Sequence, residues 1–152
     1  MKIGIPRALF YYSFFPLWYG FFKSLGHEVI VSDPTNKNIV EEGCKLCVDD
    51  ACLPVKICYG HLKNLENKVD VIFLPRIISI APKEYICPKF LGLPDMIKVN
   101  MPDLPPIIDT DINLYRKKSK LYEHFLKTGM MLGANNSKIL RAFNVAKKYQ
   151  QH

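Results

Sequence analysis

The run Val69-Asp70-Val71-Ile72-Phe73-Leu74 constrains the fold more than any other stretch. It is short and mostly apolar, with turn residues Glu66-Asn67 before it and Pro75-Arg76 closing it. That is the pattern of a buried strand in a parallel sheet. A parallel strand needs neighbours reached by crossover connections, and the chain supplies them. Lys2 to Ile5 reads as a strand turned out at Pro6-Arg7, Glu28 to Ser32 as a second, and Ile107-Ile108-Asp109 as a fourth. Helical stretches alternate with them. Phe10 to Leu25 is closed by Gly26, with Pro16 either kinking the helix or marking its true start at Ser13. Lys37 to Cys47 follows the turn Asp33-Pro34-Thr35-Asn36, and Pro54 to Leu65 follows a loop. Strand and helix in alternation define the α/β class with a parallel sheet.

Further on, Lys89 to Pro94 reads as a short helical turn that Pro94 ends or restarts, and Pro102 to Pro106 as loop. From Leu114 two helical stretches are separated by Gly133-Ala134-Asn135-Asn136, with Asn136 or Ser137 capping the second. The expected organisation is an α/β domain over residues 1–110 and a helical tail over 111–152. The last helix carries no stop signal, so the tail is expected to lead into a missing second half.

No apolar run approaches the roughly 18 residues of a membrane span, and the start is not a secretory signal, so a cytoplasmic protein is expected. There, five cysteines are reduced, metal-bound or catalytic rather than paired in disulfides. The net charge of +7 raises nucleic-acid binding. Much of the excess, however, lies in Arg116-Lys117-Lys118, Lys120 and Lys147-Lys148, the solvated faces of tail helices. No zinc-finger spacing or aromatic RNA motif accompanies it, and nucleic acid is not an expected partner.

The chemistry concentrates at two places. In Cys52-Leu53-Pro54-Val55-Lys56 and in Cys87-Pro88-Lys89, a cysteine stands just ahead of a proline, with a lysine close behind and a helix following. Proline favours the first turn, which puts both cysteines at helix N-termini, where the helix dipole favours negative charge. Thiolate is the form that binds metal or attacks electrophiles, so the two places look like half of a metal or iron–sulfur site. In an open α/β sheet both loops belong to the ligand-binding edge outside the carboxyl ends of the strands. Lys56, His61, Arg76 and Lys89 would surround such a site, tuning it or meeting an anionic partner, or else serve as surface cations and an ordinary helix histidine. Cys44 and Cys47 form a C-x-x-C late in a helix, readable as ligands, a redox pair or buried small hydrophobes. Cys58 faces the same site or the core.

Several segments resemble one family in order along the chain. They are Lys2-Ile3-Gly4-Ile5-Pro6-Arg7-Ala8, Ser32-Asp33-Pro34-Thr35-Asn36-Lys37, Asp50-Ala51-Cys52-Leu53-Pro54-Val55-Lys56, Gly60-His61, Phe73-Leu74-Pro75-Arg76 and Ile86 to Asp95. Together they are similar to the 2-hydroxyacyl-CoA dehydratase activase-related proteins, over most of residues 1–98. The resemblance implies a Rossmann-like three-layer α/β sandwich whose cysteines hold a [4Fe–4S] cluster. It further implies low-potential electron transfer around acyl-CoA dehydration in anaerobes, with a dehydratase or activase as partner. Only Cys52 and Cys87 match the family's cysteine positions. A cubane takes four cysteine ligands, or three with one iron open, so Cys44, Cys47, Cys58, a partner chain or a second α/β half would complete it. The reading is therefore an iron–sulfur module passing single electrons or playing an accessory role. The alternative is a non-catalytic α/β scaffold or interaction domain with structural or zinc-binding cysteines. A thiol redox enzyme using Cys44 and Cys47 is a third.

Overall fold

The structure, a computed structural model, describes residues 1–9, 11–47, 49, 51–79, 89–113 and 121–151. In chain order its elements are β1 (Lys2–Ile5), α1 (Tyr11–Ser24), β2 (Glu28–Val31), α2 (Lys37–Leu46), α3 (Leu53–Leu65), β3 (Val71–Phe73), β4 (Arg76–Ser79), α4 (Lys89–Asn100), β5 (Ile107–Ile108), β6 (Asp111–Asn113), α5 (Leu121–Met131) and α6 (Asn136–Gln151). The strands β2-β1-β3-β5, in that order, form an all-parallel sheet, and β4 pairs with β6, also in parallel.

Pro75 does not close the third strand, as its sequence suggests. The Leu74 N–H donates to Ile108 O (3.0 Å) and the Arg76 N–H to Thr110 O (3.1 Å). At Arg76 and Ile77, β4–β6 also keeps the register offset of β3–β5, before a bulge shifts it by one residue at Ser79. The two short pairs are thus one longer parallel pair running through Pro75. The reason is geometric. Donors at 72, 74 and 76 point towards β5 and β6, so position 75 points the other way, past the end of β1, where a missing N–H costs no ladder bond.

Alternation along β3 builds two cores. Phe73 joins Ile3, Ile5, Trp18, Phe21 and Phe22 on one face, together with Phe125 of α5 and Ile139, Ala142 and Ala146 of α6. Ile72 and Leu74 point to the other face, against Val55, Cys58, Tyr59 and Leu62 of α3 and Leu93 and Ile97 of α4. Helices thus cover both faces, giving the Rossmann-like three-layer sandwich. The tail helices α5 and α6 are built into the first core with α1. Gly26 closes α1 in the left-handed conformation (φ 89°), and Gly133 closes α5 in the same way (φ 82°).

Two local expectations are corrected. α4 continues through Pro94 to Asn100, because Leu93 and Ile97, one turn apart and both buried, hold the helix to the sheet at the loss of one ladder donor. The cap of α6 is Asn135, whose Oδ1 accepts from the Lys138 N–H (2.9 Å), rather than Asn136 or Ser137. Asn36, in contrast, caps α2 where the turn chemistry placed it, accepting from the Ile39 N–H (2.9 Å).

The closest packing is between α2 and α3. A Cβ on Gly43 would lie 1.9 Å from Lys56 O, and one on Gly60 would lie 1.9 Å from Ile39 O. Glycine inside a helix costs about 1 kcal/mol relative to alanine, so both positions need a packing reason, and this is it. The two backbones touch along an antiparallel seam.

Candidate functional site

The strand order reverses between β1 and β3, because β1 pairs with β2 on one side and β3 on the other. In open α/β sheets the crevice beyond the carboxyl ends of the strands at such a point is the ligand-binding edge. Two groups of polar residues lie at the strand ends, and the cysteines form a third group around the α2–α3 connection.

The first is a polar knot at the ends of β1 and β2. The Arg7 backbone N–H donates to Ser32 Oγ (2.7 Å), and Arg7 Nε donates to Ser32 O (3.1 Å). Ser32 Oγ also shares a hydrogen bond with His61 Nδ1 (2.7 Å), and Thr35 Oγ1 shares one with His61 Nε2 (2.8 Å). Ser32 and His61 are fully buried. Burial, and then the Arg7 guanidinium, lower the His61 pKa from its ordinary 6.5, against a smaller opposing effect of Asp33. His61 is thus a neutral ring with both nitrogens engaged, fastening the exit of β2 to α3. The residues that hold it, Arg7, Ser32 and Thr35, were not singled out from sequence as site residues, although Asp33-Pro34-Thr35-Asn36 was legible as a turn and Ser32 as a strand end.

This knot predicts an acid-sensitive window. The unfolded imidazole binds a proton near 6.5 and the folded one resists it, so stability is intact above about pH 6.5 and falls as pH drops below that value, by at most about 1.4 kcal/mol per pH unit. His27, whose pKa burial also lowers, adds to the same window. Urea midpoints at about pH 7.5 and about pH 5.5 should therefore differ less for His61→Gln than for the natural chain. An unchanged difference would remove His61 from this role.

The second group surrounds Arg76. Its Nη1 and Nη2 donate to the two carboxylate oxygens of Asp95 (2.7 and 3.0 Å), and Nη2 also donates to Asp109 (3.1 Å). Nε lies 3.3 Å from Asp111, and Lys98 donates to Asp109 (2.8 Å). The Asp95 hydrogen bonds, the largest cause, raise the Arg76 pKa. Three carboxylates match this cation and tie α4 to the continuation of the sheet. Nothing local marks Asp95, Asp109 or Asp111 as its partners, since they come from two distant segments, α4 and the β5–β6 stretch.

The third group holds the cysteines. Cys52 is the N-cap residue of α3, half-buried, with Pro54 in the first turn and no capping hydrogen bond from its side chain. Its backbone carbonyl accepts from the Val55 and Lys56 N–H groups (both 3.1 Å). Lys56 Nζ donates to Asp49 O (2.9 Å), holding the preceding loop. Cys47 ends α2 and is buried, and Cys44 is exposed. Cys58 is fully buried in the core, and burial, with the neighbouring Cys47, pushes its thiol up to about 12, so it stays protonated at neutral pH. Cys87 and the side chain of Lys89 lie outside the described residues; α4 begins at Lys89. Among the described residues no group of three or more His, Cys, Asp or Glu side chains is placed to hold a metal ion. The four described thiols, Cys44, Cys47, Cys52 and Cys58, therefore do not by themselves make up a metal site.

An apolar cavity beside α1 is lined by Ile5, Leu9, Phe15, Trp18, Phe73 and Pro75, among others. Leu9 adopts a left-handed conformation (φ 59°) that a leucine rarely takes, which turns the chain from β1 towards α1. The lining suits an apolar group rather than a phosphate.

The fold is that of a Rossmann-like α/β domain, with a cysteine at the start of one of its helices. The chain belongs to the family described as CoA enzyme activase uncharacterised domain, whose model matches residues 2–152. Comparison with curated proteins and with solved structures found no match. No helix among the described residues is long and apolar enough to cross a membrane.

Proposed function

We propose that this chain is an iron–sulfur module of a 2-hydroxyacyl-CoA dehydratase and activase type of system, serving low-potential electron transfer or an accessory role. Cys52 and Cys87 supply two thiolates to a [4Fe–4S] cluster, and a protein partner or second α/β half supplies the others. Bound there, the cluster would add one-electron chemistry. The observation that carries this reading is the position of Cys52. It opens α3 with Pro54 in the first turn, and its side chain is not spent on capping. The positive end of α3 favours the negative charge that thiolate ligands bring. Lys56, in the first turn of α3, adds positive charge to the helix start that Cys52 opens, and Lys89 stands at the start of α4, two residues after Cys87. Arg76 and His61 act indirectly, by fixing the ends of the strands. The family match supports the activase side of the reading, and a dehydratase or activase is the partner it suggests.

The test is anaerobic reconstitution with iron and sulfide of the natural chain and of Cys52→Ala, Cys87→Ala and Cys44→Ala. The expected result is a broad visible absorption in the natural chain and in Cys44→Ala, abolished in the other two. Equal colour in all four would sink the ligand assignment. No colour in any, with or without a candidate partner, would leave an α/β scaffold with structural cysteines.

A further inference from the structure

The α2–α3 seam carries a consequence for two other thiols. Gly43 lies against Lys56 and Ile39 against Gly60, so one turn forward along α2 is one turn back along α3. Extended by one turn to the loop end, this register sets Cys47, the C-cap of α2, opposite Cys52, the N-cap of α3. Both are fixed to it by helical hydrogen bonds. The Cys47 N–H donates to Gly43 O (3.1 Å), and the Lys56 N–H donates to Cys52 O (3.1 Å). Cys47 is buried in the same apolar cluster against which Cys52 packs, and only residues 48–51 separate them. Cys44, the C-x-x-C partner of Cys47, is exposed on α2.

From this we infer that Cys47 and Cys52 form a reversible dithiol–disulfide pair, with Cys52 as the attacking thiol and Cys47 as the resolving one. The seam makes the pair possible because two helices in backbone contact bring side chains one turn onward within the short Cα span a disulfide needs, about 4.4–6.8 Å. The half-buried Cys52, as thiolate, attacks one sulfur of a small disulfide such as oxidised glutathione, and one small thiol leaves. Cys47, as thiolate, then attacks the Cys52 sulfur of the mixed disulfide, forming the Cys47–Cys52 bond and releasing the second small thiol. Two protein thiols lose two electrons and two protons, and the small disulfide gains them. Where the cluster reading holds, oxidation withdraws Cys52 from the cluster, but the pair does not rest on that reading.

The test uses the full chain, reduced and stripped of metal by chelation. It is equilibrated in reduced and oxidised glutathione, alkylated, and digested with trypsin. Cys47 and Cys52 share the tryptic peptide 46–56, and Cys44 and Cys58 fall in others. The expected result is peptide 46–56 lighter by two hydrogens and unalkylated in oxidising buffer, and doubly alkylated in reducing buffer. In Cys47→Ala the resolving thiol is gone, so glutathione mixed disulfide at Cys52 should rise about tenfold over the natural chain. A peptide 46–56 that stays doubly alkylated in oxidising buffer, or a stable mixed disulfide at Cys52 in the natural chain, would overturn the inference. So would a Cys52 bond to Cys44 or Cys58. The measurement contains no iron, so its failure leaves the cluster reading untouched.

Discussion

Replacing Trp18 with alanine is expected to destabilise the chain by about 3–5 kcal/mol, the range for emptying a large aromatic from a core. Trp18 stacks on Phe125 (centroids 4.0 Å apart, planes 13° apart) and meets Phe73 at 4.3 Å, Phe22 at 5.7 Å and Phe21 edge-on at 6.0 Å. It thus joins α1, the sheet and the tail helix α5, and its neighbours cannot collapse into its volume without moving three elements. Against a total stability of about 5–15 kcal/mol for a domain, such a loss leaves a marginal fold. Urea unfolding followed by circular dichroism measures it. A loss below about 1 kcal/mol would mean that α5 is not packed on α1 as described.

The second large effect is expected at the seam. Gly60→Ala places a methyl group 1.9 Å from a backbone carbonyl of α2, a contact that no rotamer change relieves. Overpacking typically costs about 1–3 kcal/mol, and a collision with backbone on a buried helix pair belongs at the top of that range or above it. Gly43→Ala meets the Lys56 carbonyl in the same way. Either substitution must push the helices apart, so the second should cost less once the first is present. The double variant is expected to lose clearly less than the sum of the singles, which a double-mutant cycle on urea midpoints reads directly. Strict additivity would mean that the two glycines relieve separate contacts.

What sequence made legible follows from locality. The apolar run ending at Leu74, the turn at Asp33–Asn36 and the Cys52-x-Pro54 helix start are short-range signals, and the strands, the Asn36 cap and the N-cap position of Cys52 stand where those signals put them. Pro75 and Pro94 misled because proline was read as a stop. Both sit where the lost donor is tolerated, at 75 because β1 has ended and at 94 because Leu93 and Ile97 anchor the helix. The Arg76 knot was illegible for a different reason. Its carboxylates lie 19 or more residues away in sequence, and nothing local marks an aspartate for an arginine on another element. The seam left a weak local trace, glycine inside a helix, but its partner carbonyls can be named only from the packed structure. The site itself was half legible. The helix start at Cys52 was visible from its spacing to Pro54, whereas the burial of His61 and Cys58 depends on what the fold lays over them.

The most direct measurement is the content of iron and acid-labile sulfide per chain after anaerobic purification, made on the isolated protein and again with a candidate dehydratase or activase present. If two thiolates come from this chain, iron and sulfide should appear in equal amounts, at or below about two of each per chain alone and rising towards about four with a partner that completes the site. Iron and sulfide absent under both conditions would contradict the cluster and leave the cysteines to structural and thiol chemistry.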